Sequence, residues 1–223
     1  MKKFVVLDVE GGSSVRPYNV GYIITDRNGK VYHTRNVALH PCIHENDLNN
    51  YGAEEMERKN VTEIENDSEG KYEHFFSVEE FYRVFLEDMV KYKISRIWAF
   101  NCSFDKSAMK RLFPNHEEVM NSFEWCDIAT AILYTHLLTK KYVKFCRKNE
   151  YLTKKGNIST KAEIVYRYLT KDKNFVEEHT GLADCFIEKD ILISAISSSK
   201  KKVHKEVTQP WLVLKKFCQE KNI

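Results

Sequence analysis

The stretch FVVLDVE, at positions 4–10, decides how this chain folds and where its chemistry lies. β-Branched and aromatic residues fill the stretch, and Gly11 and Gly12 end it, so the sequence predicts a buried strand. Side chains two residues apart in a strand point to the same face, so Asp8 and Glu10 project together. Two neighbouring carboxylates repel each other and are costly to bury. The pair therefore predicts a counter-charge, and Mg²⁺ or Mn²⁺ is the usual one for carboxylate oxygens. The alternative is a strand that ends in solvent with two acids of no special role.

Length and composition limit the classes of protein to consider. The 223 residues suit one domain with a small appendage, which we place at 1–199 and 200–223, the latter a basic and helical tail. Mean hydropathy is −0.50 and no apolar run approaches the roughly 20 residues of a membrane helix, so no membrane partner is expected. The net charge of +3 weakly favours a polyanionic partner. The six cysteines form no C-x-x-C pair, and a strand opens the chain where a signal peptide would lie, so reduced thiols and a cytoplasmic location are expected.

The order of predicted elements indicates an α/β sheet. Strands at 19–25 and 30–37 are joined by a tight turn, which makes the first three strands antiparallel neighbours. Ser77 begins a helix with a capping box, and the helix runs to about Tyr92. A short apolar strand follows at 94–100, and a strand, helix and strand in that order predict a parallel connection. Further helices are predicted at 102–113, 127–138, 159–169, 182–196 and 211–221. Segments 45–74, partly helical and exposed, and 139–160, basic and polar, carry weaker signals.

Two later motifs supply further acids and a histidine. Asp105 follows the predicted strand at 94–100 in the sequence Asn101-x-x-Phe104-Asp105. Asp184 lies five residues after His179, and two positions five apart on one helix do not share a face. Gly181 and a possible N-cap at Thr180 place the histidine in the preceding loop and Asp184 in the first helical turn. The histidine can then reach the same site as the aspartate.

These three motifs, in this order, resemble those of the DEDDh (DnaQ-like) 3′–5′ exonucleases, and in particular stand-alone bacterial and phage members. The match covers residues 8–184, although family members often carry a threonine where this chain has Gly11. The resemblance implies an RNase H-like fold, with a five-stranded mixed sheet flanked by helices. It also implies hydrolysis of nucleic acid from a free 3′-OH end, with release of nucleoside 5′-monophosphates. Single-stranded DNA is the expected substrate.

By the same resemblance, two Mg²⁺ or Mn²⁺ ions about 3.5–4 Å apart would serve the reaction. Asp8 would bridge both ions, Glu10 and Asp184 would complete the metal site, and Asp105 would hold an ion through water. His179 would be the general base, because the reference pKa of histidine near 6.5 suits that role.

Four further residues are expected to contact the substrate: Gly11, Gly12, Asn101 and Phe104. The glycines let the backbone approach the terminal nucleotide. Asn101 could instead brace the turn, and Phe104 could belong to the core rather than stack on a base, a contact worth about 1–3 kcal/mol.

Several alternatives stay open at the level of sequence. Asp105 and Asp184 taken singly could each interact with a helix dipole, and His179 taken singly could be an ordinary loop histidine. The run at 200–202 could be a solvated charge cluster rather than a nucleic-acid contact. The substrate could be RNA, as in an exoribonuclease or oligoribonuclease, or the chain could be a non-catalytic nucleic-acid-binding module. A polymerase partner or a homo-oligomer is possible but unidentified.

Overall fold

The fold was analysed in a computed structural model, which describes residues 2–11, 16–45, 55–198 and 209–222. Gly12 and the lysine run at 200–202 lie outside these residues. The strands of the described chain are β1 (Lys3–Glu10), β2 (Asn19–Asp26), β3 (Val31–Leu39), β4 (Glu73–Phe75), β5 (Arg96–Ala99) and β6 (Glu124–Asp127).

Helices of varied length surround these strands in the described chain. In chain order they are α1 (His40–Glu45), α2 (Glu55–Glu65), α3 (Val78–Lys91), α4 (Cys102–Leu112), α5 (Glu117–Ser122), α6 (Ile128–Ile132), α7 (Lys140–Lys148), α8 (Ala162–Thr170), α9 (Gly181–Ser198) and α10 (Pro210–Glu220). A 3₁₀ turn at Pro114–His116 precedes α5, and a π turn at Leu133–Leu137 continues α6.

Most of the predicted elements are confirmed. Ser77 is the N-cap of α3, as predicted, since its hydroxyl accepts a hydrogen bond from the Glu80 amide at 3.4 Å. Helix α10 forms where the tail was predicted to be helical, and its Leu214 is fully buried in the core. Helix α7 falls in the segment 139–160, which was predicted only to be basic and polar. The division of the chain at 199/200 stays a prediction.

The described strands form one mixed sheet in the order β4-β3-β2-β1-β5-β6. The first three strands are antiparallel neighbours, as predicted, while β5 pairs with β1 and β6 pairs with β5 in parallel. The predicted count of five strands is wrong, because the sheet has six. The parallel arrangement places the carboxyl ends of β1, β5 and β6 at one edge of the sheet.

Two strands, β6 and β4, were not located from the sequence, and β4 is the shorter of them. It pairs in parallel with the end of β3, from Val37 opposite Glu73 to Leu39 opposite Phe75. The Arg35 guanidinium also binds the Glu73 carboxylate. Three residues are too few to show an alternation of apolar and polar side chains, so the pairing with β3 rather than a sequence pattern determines this strand.

The two faces of the sheet have separate cores, and the alternation along β1 assigns each side chain to one of them. Val5, Leu7 and Val9 pack with α3 and α4, whereas Phe4 and Val6 pack with α9 on the opposite face. Asp8 and Glu10 continue the even-numbered series. They therefore point to the face that α9 covers, at the end of β1 where the apolar side chains stop.

Two glycines allow α9 to lie directly on the sheet. A Cβ atom at Gly21 would lie 2.0 Å from the carbonyl carbon of Gly181. The Gly181 amide donates to the Asn19 side-chain oxygen at 2.8 Å, and the Asn19 amide group donates to the Val37 carbonyl at 2.8 Å. Because Gly21 pairs with Asp8 in the sheet, this contact places the first turn of α9 beside the end of β1.

The cysteines at 42, 102, 126, 146, 185 and 218 are free thiols, in agreement with the prediction. Among the described residues, no helix is both long enough and apolar enough to cross a bilayer.

We expect Gly21→Ala to destabilise the protein strongly. Its Cβ would collide with backbone atoms of Gly181, which cannot rotate away, so the free energy of unfolding should fall by at least about 3 kcal/mol, the upper end of overpacking costs. Urea denaturation followed by circular dichroism measures this change. Gly156→Ala is the control, since it meets no atom within 4 Å and only its φ of +74° opposes the substitution, at about 1–2 kcal/mol. An equal or smaller loss for Gly21→Ala would contradict the proposed packing.

Candidate functional site

The predicted acids from β1 and α9 meet at the carboxyl end of β1. One carboxylate oxygen from each of Asp8, Glu10 and Asp184 lies within 4.8 Å of the other two. Asp184 is in the first turn of α9, where its amide donates to the Thr180 carbonyl at 2.9 Å. The alternation in β1 and the early position of Asp184 in its helix, both predicted from sequence, thus produce one carboxylate cluster.

Asp105 approaches the same region from the neighbouring strand. It lies in the first turn of α4, which follows β5 after Asn101 adopts a left-handed conformation with φ of 65°. Asp105 is 1% exposed, and its charge contributes to raising the pKa of Glu10. It does not belong to the group of oxygens within 4.8 Å among the described residues, so it borders the cluster rather than joining it.

Several carboxylate oxygens at this site are buried without a hydrogen-bond partner among the described residues. They are Asp8 Oδ2, Asp105 Oδ2 and Asp184 Oδ1. A buried oxygen with no partner costs free energy, and an ionised one costs more. Oxygen donors at this spacing suit Mg²⁺ or Mn²⁺, and a bound cation would both neutralise and coordinate them. The residues present therefore fit a divalent-cation site.

Burial and mutual repulsion shift the carboxyl groups toward their protonated forms. Burial raises the pKa of Asp8 from 3.8 to about 7, with the charge of Glu177 adding to the effect. Burial raises the pKa of Asp184 from 3.8 to about 9, with Asp8 and Glu177 next in importance. Burial raises the pKa of Glu10 to about 10, followed by repulsion from Asp8 and Asp184. Without cations, the cluster is therefore partly protonated at neutral pH.

The structure brings His179 to the edge of the cluster. A ring nitrogen of His179, a carboxylate oxygen of Glu177 and one of Asp184 all lie within 4.8 Å of one another. The backbone at His179 is left-handed, with φ of 58°, and the Asn60 amide group donates to its carbonyl at 2.5 Å. Burial lowers the pKa of His179, so the imidazole is neutral at neutral pH and able to accept a proton.

Sequence reasoning missed two acids at this site. Glu188 is 3% exposed, accepts a hydrogen bond from the Phe100 amide at 3.2 Å, and is near enough to Asp8 and Asp105 for their charges to raise its pKa. Its position four residues after Asp184 on α9 was an available signal, because i and i+4 share a helix face. Glu177 lies in the loop before α9, and no periodicity applies to a loop residue.

The predicted substrate-contacting residues take different positions. Gly11 directly follows β1, and a Cβ there would lie 3.0 Å from the Cα of Pro17. Asn101 is exposed at the start of α4. Phe104 is half-buried and packs against the core that contains α3 and α4. Gly12 lies outside the described residues.

A cavity of about 680 Å³ opens beside His179, between α2 and the segment 176–180. Lys59 and Asn60 line its α2 side, and Glu177 and His179 line the opposite side. The cavity gives solvent and small solutes access to the histidine.

Comparison with solved structures finds the same fold in nucleases. The structure of E. coli exonuclease I in complex with a dT13 oligonucleotide is similar, with a TM-score of 0.55 and 15% sequence identity, over 89% of this chain and 42% of that chain. A structure of apo exonuclease I matches with a TM-score of 0.52 and 15% identity, over 86% of this chain and 42% of that chain. This chain thus spans about two fifths of the length of those proteins.

No family model matches the chain, and no curated protein matches it by sequence. The structural likeness supports the RNase H-like α/β fold that the resemblance predicts.

The raised pKa values predict an unusual pH dependence for the metal-free protein. Asp8 and Asp184 hold protons in the folded state that they release in the unfolded state, where the pKa is 3.8. Stability should therefore fall as pH rises from about 4 through the folded values of about 7 and 9. Thermal melts in chelator should give a lower Tm at about pH 8 than at about pH 5, and Mg²⁺ should raise the Tm more at the higher pH.

Asp184→Asn should weaken both the pH dependence and the Mg²⁺ effect, because it removes one charge and one oxygen donor from the cluster. Asp190→Asn, an exposed substitution on the same helix, is the matched control and should leave both unchanged. If the Tm measured in chelator rises between pH 5 and pH 8, the assignment of raised pKa values to Asp8 and Asp184 is wrong.

Proposed function

We propose that this protein is a metal-dependent 3′–5′ exonuclease that releases nucleoside 5′-monophosphates from single-stranded DNA. The observation that carries the proposal is the convergence of Asp8, Glu10 and Asp184 within 4.8 Å, with His179 beside them. The similarity in fold to exonuclease I, one structure of which contains a dT13 oligonucleotide, supports a nucleic-acid substrate.

Four carboxylates are available to hold divalent cations. Asp8, Glu10 and Asp184 would supply direct oxygen ligands, and Asp105, at the border of the cluster, would act through water. Two bound ions would polarise the scissile phosphate and lower the pKa of the attacking water. The carboxylates hold this position because β1, α4 and α9 fix their backbones before any ligand binds.

His179 is the proposed general base. Its imidazole is neutral at neutral pH because burial lowers the pKa, so a ring nitrogen can accept a proton from the attacking water. The left-handed backbone of His179 and the hydrogen bond from Asn60 set where the ring enters the site. The cavity next to the ring would allow the water and the released product to pass.

The terminal nucleotide would lie over the end of β1. Gly11 has no side chain to obstruct it, and exposed Asn101 stands at the start of α4 where a phosphate or sugar could pass. Phe104 packs against the core, so only its outer edge is available to a base. The free 3′-OH would lie closest to the carboxylate cluster.

Asp8→Asn should abolish release of mononucleotides, because it removes one charged ligand from the centre of the cluster. The assay compares unblocked and 3′-blocked DNA and RNA oligomers, each with Mg²⁺ and with chelator, and resolves products by length. Wild type should shorten only the unblocked strands, one nucleotide at a time and only with metal. The RNA arm identifies an exoribonuclease, and binding without any product identifies a non-catalytic module. Asp190→Asn is the matched control and should retain full activity.

His179→Ala should lower the rate by roughly 10²–10⁴-fold, the usual contribution of a general base. In wild type, the rate should also fall at acidic pH as the imidazole becomes protonated. This decrease at acidic pH should be absent from His179→Ala. The control is His116→Ala, because His116 pairs with Glu79 on α3 and is distant in sequence from His179. If Asp8→Asn and His179→Ala both keep near-normal Mg²⁺-dependent rates, the proposed function is wrong.

A further inference from the structure

The general-base candidate belongs to a second group of ligand atoms, which overlaps the carboxylate cluster of Asp8, Glu10 and Asp184 at one residue. One atom from each of Glu177, His179 and Asp184 lies within 4.8 Å of the other two. Asp184 is common to both groups, while Glu177 and His179 occur only in the second. The second group therefore differs in chemistry, because it contains an imidazole nitrogen.

The spacing between Glu177 and His179 fits a shared cation better than a hydrogen bond. Glu177 Oε2 and His179 Nδ1 are 3.7 Å apart, which exceeds the length of a hydrogen bond. Tetrahedral ligands with bonds of about 2.0–2.2 Å to Zn²⁺ lie roughly 3.3–3.6 Å from each other. The observed gap is close to this value, so Glu177 and His179 already lie near the separation that a shared zinc ion requires.

Three further features favour a cation at this position. Asp184 is 6% exposed, and its Oδ1 has no hydrogen-bond partner among the described residues. The cavity beside Glu177 and His179 supplies a path for an ion to enter. The hydrogen bond from Asn60 to the His179 carbonyl fixes the loop that carries both ligands.

We propose that Glu177, His179 and Asp184 form a second cation site, selective for Zn²⁺ over Mg²⁺, whose occupation takes His179 out of the reaction. Imidazole with two carboxylates is a donor set that suits Zn²⁺, whereas Mg²⁺ takes oxygen ligands and retains its waters. Three protein ligands leave a fourth position for water. A nitrogen lone pair that is bound to zinc cannot accept a proton, so zinc would inhibit the enzyme. This consequence rests on the proposed exonuclease function, but the zinc site itself does not.

Direct zinc binding tests the site without nucleic acid. The full-length protein is titrated with Zn²⁺ in a fixed excess of Mg²⁺, with a chromogenic chelator as competitor, so that only zinc binding that Mg²⁺ does not outcompete is counted. Wild type should bind one zinc ion per chain. Glu177→Ala and His179→Ala should each weaken binding by at least the roughly 10–100-fold that loss of even an outer partner of a metal ligand costs.

Glu178→Ala is the matched control, because Glu178 is an exposed acid next to Glu177 and lies outside the three-ligand group. It should bind zinc as wild type does. Glu177→Gln provides a second variant of nearly the same shape in case Glu177→Ala is unstable, and circular dichroism checks that each variant is folded. Unchanged zinc affinity in folded Glu177 and His179 variants, or complete displacement of zinc by Mg²⁺, would overturn the proposal.

Activity assays then distinguish failure of this inference from failure of the proposed function. In an active enzyme, Zn²⁺ added over excess Mg²⁺ should reduce mononucleotide release by wild type and Glu178→Ala. Glu177→Gln should need at least about tenfold more zinc for the same inhibition. If zinc binds as expected but no nuclease activity exists, the site stands and the proposed function fails. If the nuclease is active and zinc does not bind, only the zinc site fails.

Discussion

The constraint on which this structure depends is the burial of mutually repelling carboxylates at the end of one central strand. Asp8, Asp105 and Asp184 each keep a buried oxygen without a hydrogen-bond partner among the described residues. Such an arrangement is unfavourable by itself, since desolvation and repulsion act together on each ionised group. The rest of the fold must therefore be stable enough to hold the acids in place, and a cation is the natural partner that offsets the repulsion.

The scaffold meets this constraint through backbone contacts rather than side-chain pairing at the site itself. Gly21 and Gly181 remove the side chains that would separate α9 from the sheet, and Asn19 joins the helix start to the neighbouring strands. The Cys185 thiol adds a contact to the Gly21 carbonyl at 3.2 Å. These contacts involve uncharged groups, so the position of the first turn of α9 does not depend on the ionisation of the acids.

The sequence predicted those features that follow from local periodicity and failed where tertiary pairing decides. The shared direction of Asp8 and Glu10 follows from the two-residue repeat of a strand, and the loop position of His179 follows from Gly181. Strand β4 could not be predicted, because three residues carry no pattern and only pairing with β3 fixes them. Glu177 was missed for a related reason, since the loop path that turns it toward His179 is set by contacts with α2. Glu188 differs from Glu177, because its spacing of four residues from Asp184 places both on one helix face and could have predicted its position.

Because Asp184 is common to the carboxylate cluster and to the group with Glu177 and His179, the two sets of ligands cannot act independently. If a cation in one group polarised or reoriented the Asp184 carboxylate, it would change the affinity of the other group for its own cation. Thermodynamic reciprocity then requires the effect to be equal in both directions. The burial of Asp184 strengthens this coupling, since charges interact more strongly where water is excluded. In the proposed reaction, the first turn of α9, which lies directly on β2, would thus be the point at which cation identity affects proton transfer.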